Sequence, residues 1–302
     1  MTGKRKLCIV LILLAALFAS NLALEAWNQK QEEQESAQEE KEKIYLTEAN
    51  GITAFSYSDG SSEMSFTKND DLWIYDSDVE IPMDQSVLSS TAESIANMTA
   101  VRKLEDPDEL KDYGLDDPLY TIRYTDSDGA ELVISIGNGA GENYYATVGD
   151  TGEVYTVSSD FQNWMRFDLA GLVQYDTVPS IGSGNLKKVT ITQDGTDTVY
   201  KEDDDLAELA GGWGTLSLTE CENYHVTEDD LAKYGLDEEK RITAKAKYKD
   251  NDSDETKEFI LYVGNTDSSG DYRYVTVDDS IFVYKVSDSV IQNLMTVEET
   301  EE

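Results

Sequence analysis

The chain has 302 residues, more than one compact domain usually holds, so we expect two folded units. Acidic residues outnumber basic residues by 62 to 24, and the formal net charge is −38. This charge repels nucleic acids and anionic lipid headgroups, so binding to DNA or RNA is not expected. The chain has two cysteines, one of them inside an apolar N-terminal segment, so no intrachain disulfide framework is available.

The N-terminal segment joins a basic stretch at 1–6 to an almost continuous apolar run from Leu7 to Leu24. The run is close to the roughly 20 residues that cross a bilayer, which predicts a transmembrane anchor over 7–26. The positive-inside rule places residues 1–6 in the cytoplasm and everything after Trp27 outside the cell membrane. A cleaved signal peptide is the alternative, since its apolar core needs only about 7–15 residues. No small-x-small cleavage site follows the run cleanly, which favours a single-pass, uncleaved anchor.

Two further polar segments flank the rest of the chain. Residues 27–43 are rich in Gln, Glu, Ser, Ala and Lys, a composition typical of an exposed stalk that is helical or disordered. Residues 298–302 form an acidic tail. The folded units are therefore expected between these segments.

An internal repeat occupies that central part. Tyr113-Gly114-Leu115-Asp116 returns as Tyr234-Gly235-Leu236-Asp237, and Ile136-Gly137-Asn138 returns as Val263-Gly264-Asn265. A repeat of this length predicts one structural module present twice. We place the copies at 44–170 and 184–297, joined by a linker at 171–183.

Both copies predict the same order of strands. Each begins with a hairpin, turning at Asp59-Gly60 or at Asp194-Gly195, because aspartate and glycine tolerate the positive φ of a tight turn. Each then continues into an antiparallel meander of four strands, expected at 119–125, 130–136, 143–148 and 153–157, and again at 241–248, 257–263, 272–277 and 281–286. A closing helix is expected near Phe161 and near Val290. The predicted fold class is α+β: two tandem, mainly antiparallel β-meander modules with short helices, preceded by one transmembrane helix.

The helix that follows the hairpin is expected to differ between the copies. In the first copy Pro82 and Asp84 provide a start, and Leu88, Ala92, Ile95 and Met98 recur at helical spacing. In the second copy glycines interrupt the stretch from Leu206 to Trp213, which predicts a truncated or lost helix. Asp203-Asp204-Asp205 before it is interpreted as a solvated turn.

The Tyr-Gly-Leu motif has an explanation that needs no ligand. Asp106 can cap a short helix that begins at Pro107, and Gly114 can end it in the left-handed conformation. Leu115 then folds back onto the core. Thr227, Asp230, Gly235 and Leu236 repeat the pattern in the second copy.

No group of residues predicts a catalytic, cofactor or metal site. His225 is the only histidine, and no Gly-x-Ser-x-Gly elbow surrounds a serine. One histidine and one outer cysteine, Cys221, do not supply the usual zinc ligands. Asp250 to Glu255 begins like a calcium-binding EF-hand loop but lacks its glycine and final glutamate, so we expect an exposed hairpin loop. The glycines of 137–141 lie between strands and do not open a helix, unlike a nucleotide-binding loop. We therefore expect no catalytic residue, no cofactor, no metal and no enzyme activity.

Tyrosines concentrate in the predicted strands, as in Tyr144-Tyr145 and Tyr272-Arg273-Tyr274. Tyrosine favours sheets, so ordinary strand packing explains most of them. Because tyrosine is also common at interfaces, a sheet face that binds a partner is the alternative.

Several features resemble the bacterial domain of unknown function 4340 family. They are the N-terminal apolar segment, Trp73 in an early strand, the helix after it, the element Tyr113-Gly114-Leu115-Asp116 followed by Pro118, and the strand end Ile136-Gly137. The resemblance extends through both copies, although Glu238-Glu239 replaces Asp117-Pro118 in the second. It implies a membrane-anchored envelope protein, in a family discussed beside transporters of the gliding-motility-associated ATP-binding-cassette type. The family has no established catalytic residues, so it implies no site residue here.

The main functional hypothesis is a non-catalytic, envelope-exposed, membrane-anchored interaction module, accessory to an ATP-binding-cassette-type transporter. Its partner is then another membrane protein. Two alternatives stay open at this point. One is a cell-envelope glycan hydrolase that uses an unrecognised carboxylate pair, and the other is a ligand or cation receptor that uses a cleft between the copies.

Overall fold

The computed structural model describes Trp27, Lys30, residues 43–253 and residues 255–296. The predicted basic end at 1–6, the anchor at 7–26, most of the stalk at 27–43 and the acidic tail at 298–302 lie outside the described residues. Among the helices of the described part, none has both the length and the apolar character needed to cross a membrane.

The first sheet has eight strands. They are β2 (Ile52–Ser58), β3 (Glu63–Asn69), β4 (Leu72–Tyr75), β6 (Arg102–Lys103), β7 (Tyr120–Asp126), β8 (Glu131–Ala140), β9 (Asn143–Val148) and β10 (Tyr155–Ser158). Their spatial order is β4-β3-β2-β7-β8-β9-β10-β6. The short strands β1 (Ile44–Tyr45) and β5 (Thr99–Ala100) pair with each other as a separate antiparallel ribbon.

The second sheet has seven strands. They are β11 (Leu186–Gln193), β12 (Thr196–Tyr200), β13 (Cys221–Asn223), β14 (Ile242–Lys249), β15 (Thr256–Thr266), β16 (Tyr272–Val277) and β17 (Val283–Ser287). Their spatial order is β12-β11-β14-β15-β16-β17-β13. Neighbours along the meander β14-β15-β16-β17 pair antiparallel, as expected for strands joined by short turns.

These sheets confirm a mainly antiparallel α+β architecture. The predicted hairpin and meander strands are present in both halves of the chain, with small shifts at their ends. The sequence did not predict β6 and β13, the strands at one edge of each sheet. Both are two or three residues long, too short to show an alternating pattern.

Backbone packing groups the described residues into two compact units. One consists of 43–53, 57–61 and 92–163, and the other of 54–56, 62–91 and 164–296 without 254. The predicted domain limits rest on the sequence repeat and stay a prediction.

Four α-helices and two short 3-10 helices accompany the strands in the described residues: α1 (Gln85–Ala96), α2 (Asp203–Thr215), α3 (Glu228–Tyr234), α4 (Asp288–Met295), and the 3-10 helices Leu110–Tyr113 and Ser159–Asn163. The first of them, α1, is confirmed as predicted. Asp84 caps it by accepting the backbone N–H groups of Ser86 and Val87 at 2.9 and 3.1 Å. Leu88, Ala92 and Ile95 are buried within it, whereas Met98, also predicted on this helix, is buried two residues beyond its end.

The prediction of a truncated or lost second helix was wrong. Helix α2 has 13 residues and begins at Asp203, where a solvated turn was expected. Acidic residues stabilise the first turn of a helix through its dipole, which explains the start. The glycines serve close packing: a Cβ at Gly212 would lie 2.4 Å from the backbone nitrogen of Leu294 in α4. The cost of glycine in a helix is therefore offset by tertiary packing.

Helices α2 and α4 cover one face of the second sheet. Trp213 of α2 is buried and meets the ring of Phe259 in β15 edge-on, with 6.3 Å between centroids. Ala244 and Ala246 of β14, on the same face as Phe259, are fully buried. Successive side chains of a strand alternate between faces, so residues 243, 245 and 247 point away from the helices.

The Tyr-Gly-Leu motif and the strand-ending glycine form one packing unit in both halves of the chain. Gly114 and Gly235 end their helices with φ of 70° and 68°, in the left-handed region. A Cβ at Gly137 would lie 2.3 Å from the Tyr113 carbonyl oxygen, and one at Gly264 would lie 2.1 Å from that of Tyr234. The motifs are therefore explained by a close backbone contact that only glycine permits.

The predicted start of the first of these helices was wrong. Asp106 has φ of 49° and lies before the 3-10 helix, whose N-cap is Glu109. In the second half Thr227 is the N-cap of α3, but its hydroxyl donates to the Asp230 carboxylate at 2.8 Å and caps no backbone N–H. The predicted end of both helices was correct. Leu115 and Leu236 are buried, as expected.

Candidate functional site

His225 lies in an ion-pair cluster. Its Nδ1 is 2.6 Å from Asp78 Oδ2, and its Nε2 is 2.9 Å from Glu80 Oε2. The two carboxylates belong to the turn after β4, and His225 follows β13, where its backbone N–H donates to Asn223 Oδ1 at 2.9 Å. The hydrogen bond to Asp78 is the main cause that raises the pKa of His225. The hydrogen bond to Asp78 and the negative charge of Glu80 both favour the imidazolium form, which is not a base.

Cys221 is the cysteine that lies within the described residues. Its side chain is partly buried, and its thiol donates to the Asn223 carbonyl oxygen at 3.2 Å. Burial raises the pKa of the thiol to about 12. Because the thiolate is the nucleophile and metal ligand, this environment disfavours both kinds of chemistry at neutral pH.

Asp176, in the predicted linker, is bound to the second sheet. The hydroxyl groups of Tyr284 and Ser280 donate to its Oδ2 at 2.8 and 2.5 Å. Its backbone N–H donates in turn to the Tyr284 oxygen at 3.0 Å. Burial is the main cause that raises the pKa of Tyr284, which keeps the phenol protonated as a donor. The neighbouring Tyr175 packs against the rings of Phe282 and Tyr284.

The acidic segment from Asp250 forms the turn between β14 and β15. The Asp250 carboxylate accepts the backbone N–H groups of Asp252 and Ser253 at 2.9 and 3.0 Å and the Lys257 ammonium at 2.5 Å. The bond from Lys257 is the main cause that holds the pKa of this carboxyl well below its usual range. Within the described residues no group of three or more His, Cys, Asp or Glu side chains is arranged to hold a metal ion.

A shallow depression of about 430 Å³ adjoins this turn. Its walls are Ser180, Ile181, Gly182, Gly184, Asn185, Lys249, Asp250 and Asn251. The Asn185 amide is already engaged, because its Nδ2 donates to the Ser180 and Lys249 carbonyls at 2.8 and 3.0 Å and its Oδ1 accepts the Gly182 N–H at 2.8 Å. The polar groups of the depression therefore hold the loops together.

Several of the tyrosines that the sequence marked as interface candidates pack against other aromatic rings of the protein. Tyr145 contacts Tyr113, with ring centroids 4.8 Å apart, and Tyr274 contacts Tyr234 at 5.0 Å. Tyr144 packs on Phe161. Arg273 donates to Asp288 at 2.7 Å, at the start of α4. Tyr272 is 38% exposed.

Sequence reasoning missed a row of lysines on the second sheet. Lys188 of β11 lies directly opposite Lys247 of β14, and Lys245 lies opposite Thr190. The signal was present in Thr243-Ala244-Lys245-Ala246-Lys247-Tyr248-Lys249, where alternation puts the lysines on one face. That face is the one turned away from α2 and α4. We call the outer surface of Lys188, Lys245 and Lys247 the lysine face.

Comparison with known families gives a match over part of the chain. The sequence model of the family described as "Domain of unknown function (DUF4340)" matches residues 73–208. This segment belongs to the DUF4340 family. The DUF4340 match begins at Trp73 in β4, includes the Tyr113-Gly114-Leu115 motif and the Ile136-Gly137 strand end, and stops within α2. Whether the second Tyr-Gly-Leu motif at 234–236 marks another DUF4340 copy stays a prediction.

Two other comparisons add nothing on function. The sequence has no significant match among curated proteins. A solved structure of a thioesterase-like protein from Clostridium sporogenes shares 12% identity with this chain, covering 38% of it and 97% of the other protein, with a TM-score of 0.28. A likeness this weak carries no argument, and the DUF4340 domain brings no assigned activity with it.

Proposed function

We propose that this protein is a non-catalytic interaction module, exposed on the outer side of the cell membrane and anchored there by residues 7–26. Its partner is another membrane protein, and its role is accessory to an ATP-binding-cassette-type transporter. The observation that carries the non-catalytic part is the state of His225. Carboxylates engage both of its ring nitrogens, so it offers no free base to a nucleophile.

Two other reactive side chains also support a non-catalytic role. The Cys221 thiol, with a pKa of about 12, is protonated at neutral pH. The Tyr284 phenol is buried and donates to Asp176. In these positions nucleophiles and acids serve internal hydrogen bonds, which suits a structural scaffold that presents surfaces to a partner.

The tandem duplication is part of the proposal. The order β3-β2-β7-β8-β9-β10-β6 in the first sheet parallels β12-β11-β14-β15-β16-β17-β13 in the second, and β4 is an additional edge strand. The glycine contacts at Gly137 and Gly264 also correspond. Two copies of one scaffold with different surface residues provide two surfaces that can diverge for different contacts.

The membrane location and the transporter association rest on the sequence. A basic stretch before an apolar run supports the anchor and its orientation. The resemblance to a family discussed beside transporters supports the kind of partner. The strongly acidic composition suits a protein that acts through protein contacts and not through anionic lipid or nucleic acid.

Crosslinking in intact cells tests this proposal. The tagged full-length protein is crosslinked, purified in detergent and analysed by mass spectrometry, and a tagged fragment of residues 1–43 serves as the control for contacts made by the anchor alone. We expect transporter subunits in stoichiometric amounts with the full-length protein and not with the control. Recovery of the protein alone would contradict a stable partner. Release of products from cell-wall material by the purified protein would contradict the non-catalytic part.

A further inference from the structure

The lysine face is unusual for this chain. The protein has 24 basic residues against 62 acidic ones, yet Lys188 and Lys247 lie directly opposite each other on antiparallel strands. Like charges in this position destabilise a sheet. Lys247 has a partner on its other side, Glu258 of β15, at 3.7 Å. In the part of the chain that the structure describes, Lys188 and Lys245 have no carboxylate partner. Sheet stability therefore does not explain these lysines.

The corresponding positions of the first sheet provide a comparison. In β7 and β8, Arg123 lies opposite Val133 and Thr125 lies opposite Glu131, as Lys245 lies opposite Ile260 and Lys247 opposite Glu258 in the second sheet. Threonine thus stands in the first sheet where Lys247 stands in the second. Arg123 stands where Lys245 does, so of these two positions it is the positive charge of Lys247 that occurs in the second sheet alone.

Apolar and aromatic side chains border the lysines. Ile260 lies beside Lys245 on β15, and Val199, 46% exposed, lies opposite Thr190 on the edge strand β12. Next to them the Arg241 guanidinium lies 3.7 Å from the centre of the Tyr262 ring. Interfaces between proteins commonly combine exposed apolar groups, tyrosine and arginine in this way.

Three carboxylates on this side of the sheet already have partners within the protein. Glu258 pairs with Lys247, Asp197 accepts the Thr192 hydroxyl at 2.7 Å, and Asp278 accepts the Tyr262 hydroxyl at 2.7 Å. Two ammonium groups, those of Lys188 and Lys245, remain to pair with an incoming anion. At physiological ionic strength charges interact over about 8 Å, so a short anionic segment on this face responds to the local lysines more than to the distant acidic surface.

We propose that the lysine face docks an acidic segment of the partner protein, one in which carboxylate side chains alternate with apolar ones. This inference rests on the proposed function and identifies the surface that performs it. A long polyanion does not fit, because most of its length would meet the acidic remainder of a protein with net charge −38. A second copy of this chain is disfavoured by the same repulsion. The apolar neighbours Val199 and Ile260 match a polypeptide.

Site-specific photocrosslinking in intact cells tests the docking surface. A benzophenone amino acid replaces Thr190, which lies opposite Lys245, in the full-length protein. In a parallel protein it replaces Thr121, two residues before Arg123 on β7 of the first sheet. Crosslinked peptides are then identified by mass spectrometry. We expect Thr190 to crosslink to an acidic segment of another protein, and Thr121 to give no such crosslink.

Charge-reversal variants make the test specific. In the K188E/K245E background we expect the Thr190 crosslink to fall about tenfold, as rim charges control association. The control K111E/K240E makes the same change in net charge at two exposed lysines elsewhere and should keep the crosslink. Thermal unfolding of each variant separates a loss of docking from a loss of folding. The variant K188Q/K245Q, which removes the charges without reversing them, serves as a milder change for the same comparison.

Several results would overturn the inference. One is a crosslink from Thr190 to a neutral or basic segment, to glycan, to lipid or to a second copy of this chain. Another is the absence of any crosslink at Thr190. A third is an equal crosslink yield in the K188E/K245E and K111E/K240E variants. If transporter subunits still purify with K188E/K245E as with the original protein, the docking surface is wrong while the proposed function stands. If nothing purifies with the original protein, the proposed function itself fails.

Discussion

Replacing Gly137 by alanine tests the backbone contact that explains the Tyr-Gly-Leu motif. The added Cβ would lie 2.3 Å from the Tyr113 carbonyl oxygen and 2.8 Å from both the Gly114 carbonyl carbon and oxygen. Carbon atoms of side chains essentially never approach within 3.0 Å of such atoms. Because the obstacle is backbone, no side chain can rotate away. The 3-10 helix Leu110–Tyr113 or strand β8 must therefore shift.

The expected magnitude follows from this overlap. Forcing extra carbon into a packed contact costs about 1–3 kcal/mol, and we expect a value near the middle, about 2 kcal/mol. A loss of about 2 kcal/mol makes local opening about thirty times more frequent. Amides that close this region, such as Leu115 N–H to the Leu110 carbonyl at 3.0 Å, should then exchange about thirty times faster.

Hydrogen–deuterium exchange of the full-length protein, followed by peptide mass spectrometry, measures this effect. Gly139→Ala is the matched control, since it lies on the same strand and its added Cβ would meet nothing within 4 Å. Because alanine there restricts the unfolded chain, its effect should stay within about 1 kcal/mol. Equal exchange around Leu115 in the two variants would refute the explanation of the motif by a glycine contact.

Three further predictions concern the second unit. Folding raises the pKa of His225 above its ordinary value of 6.5, so the original protein should be more stable than His225→Gln at low pH. This difference in unfolding free energy, measured by urea unfolding from pH 5 to 9, should be full below about pH 6.5 and disappear as the pH rises through the raised pKa. A difference that does not change with pH would exclude the ion pairs as its cause. Cys221, with a thiol pKa of about 12, should resist iodoacetamide at pH 8 in the folded protein and react after unfolding in urea, as followed by peptide mapping. Trp213→Ala should lower the unfolding free energy by about 3–5 kcal/mol because the side chain is 1% exposed. Leu72→Ala, at a residue that is 57% exposed, should change it by less than about 1 kcal/mol. Similar losses in the two variants would contradict the assigned core.

Local sequence signals were sufficient for most strands and turns. The alternation in Tyr120–Asp126 or Tyr272–Val277 marks a strand because it reflects the two-residue period of the backbone. Asp84 and Gly114 act on their own helix ends, and both were predicted to do so. The matching motifs around Gly114 and Gly235 also predict two copies of one module, and this stays a prediction. These features depend on neighbours within a few residues along the chain.

Other features depended on contacts between distant segments. Helix α2 contains glycines that disfavour a helix locally, and Gly212 is explained by the close approach of α4, with which a side chain there would collide. His225 had no assignable partner in the sequence, because Asp78 lies 147 positions away. Lys188 and Lys247 become one surface only through the register of β11 with β14. Composition and period determine which elements form, whereas packing and register determine which side chains meet, since those contacts join residues that the sequence separates.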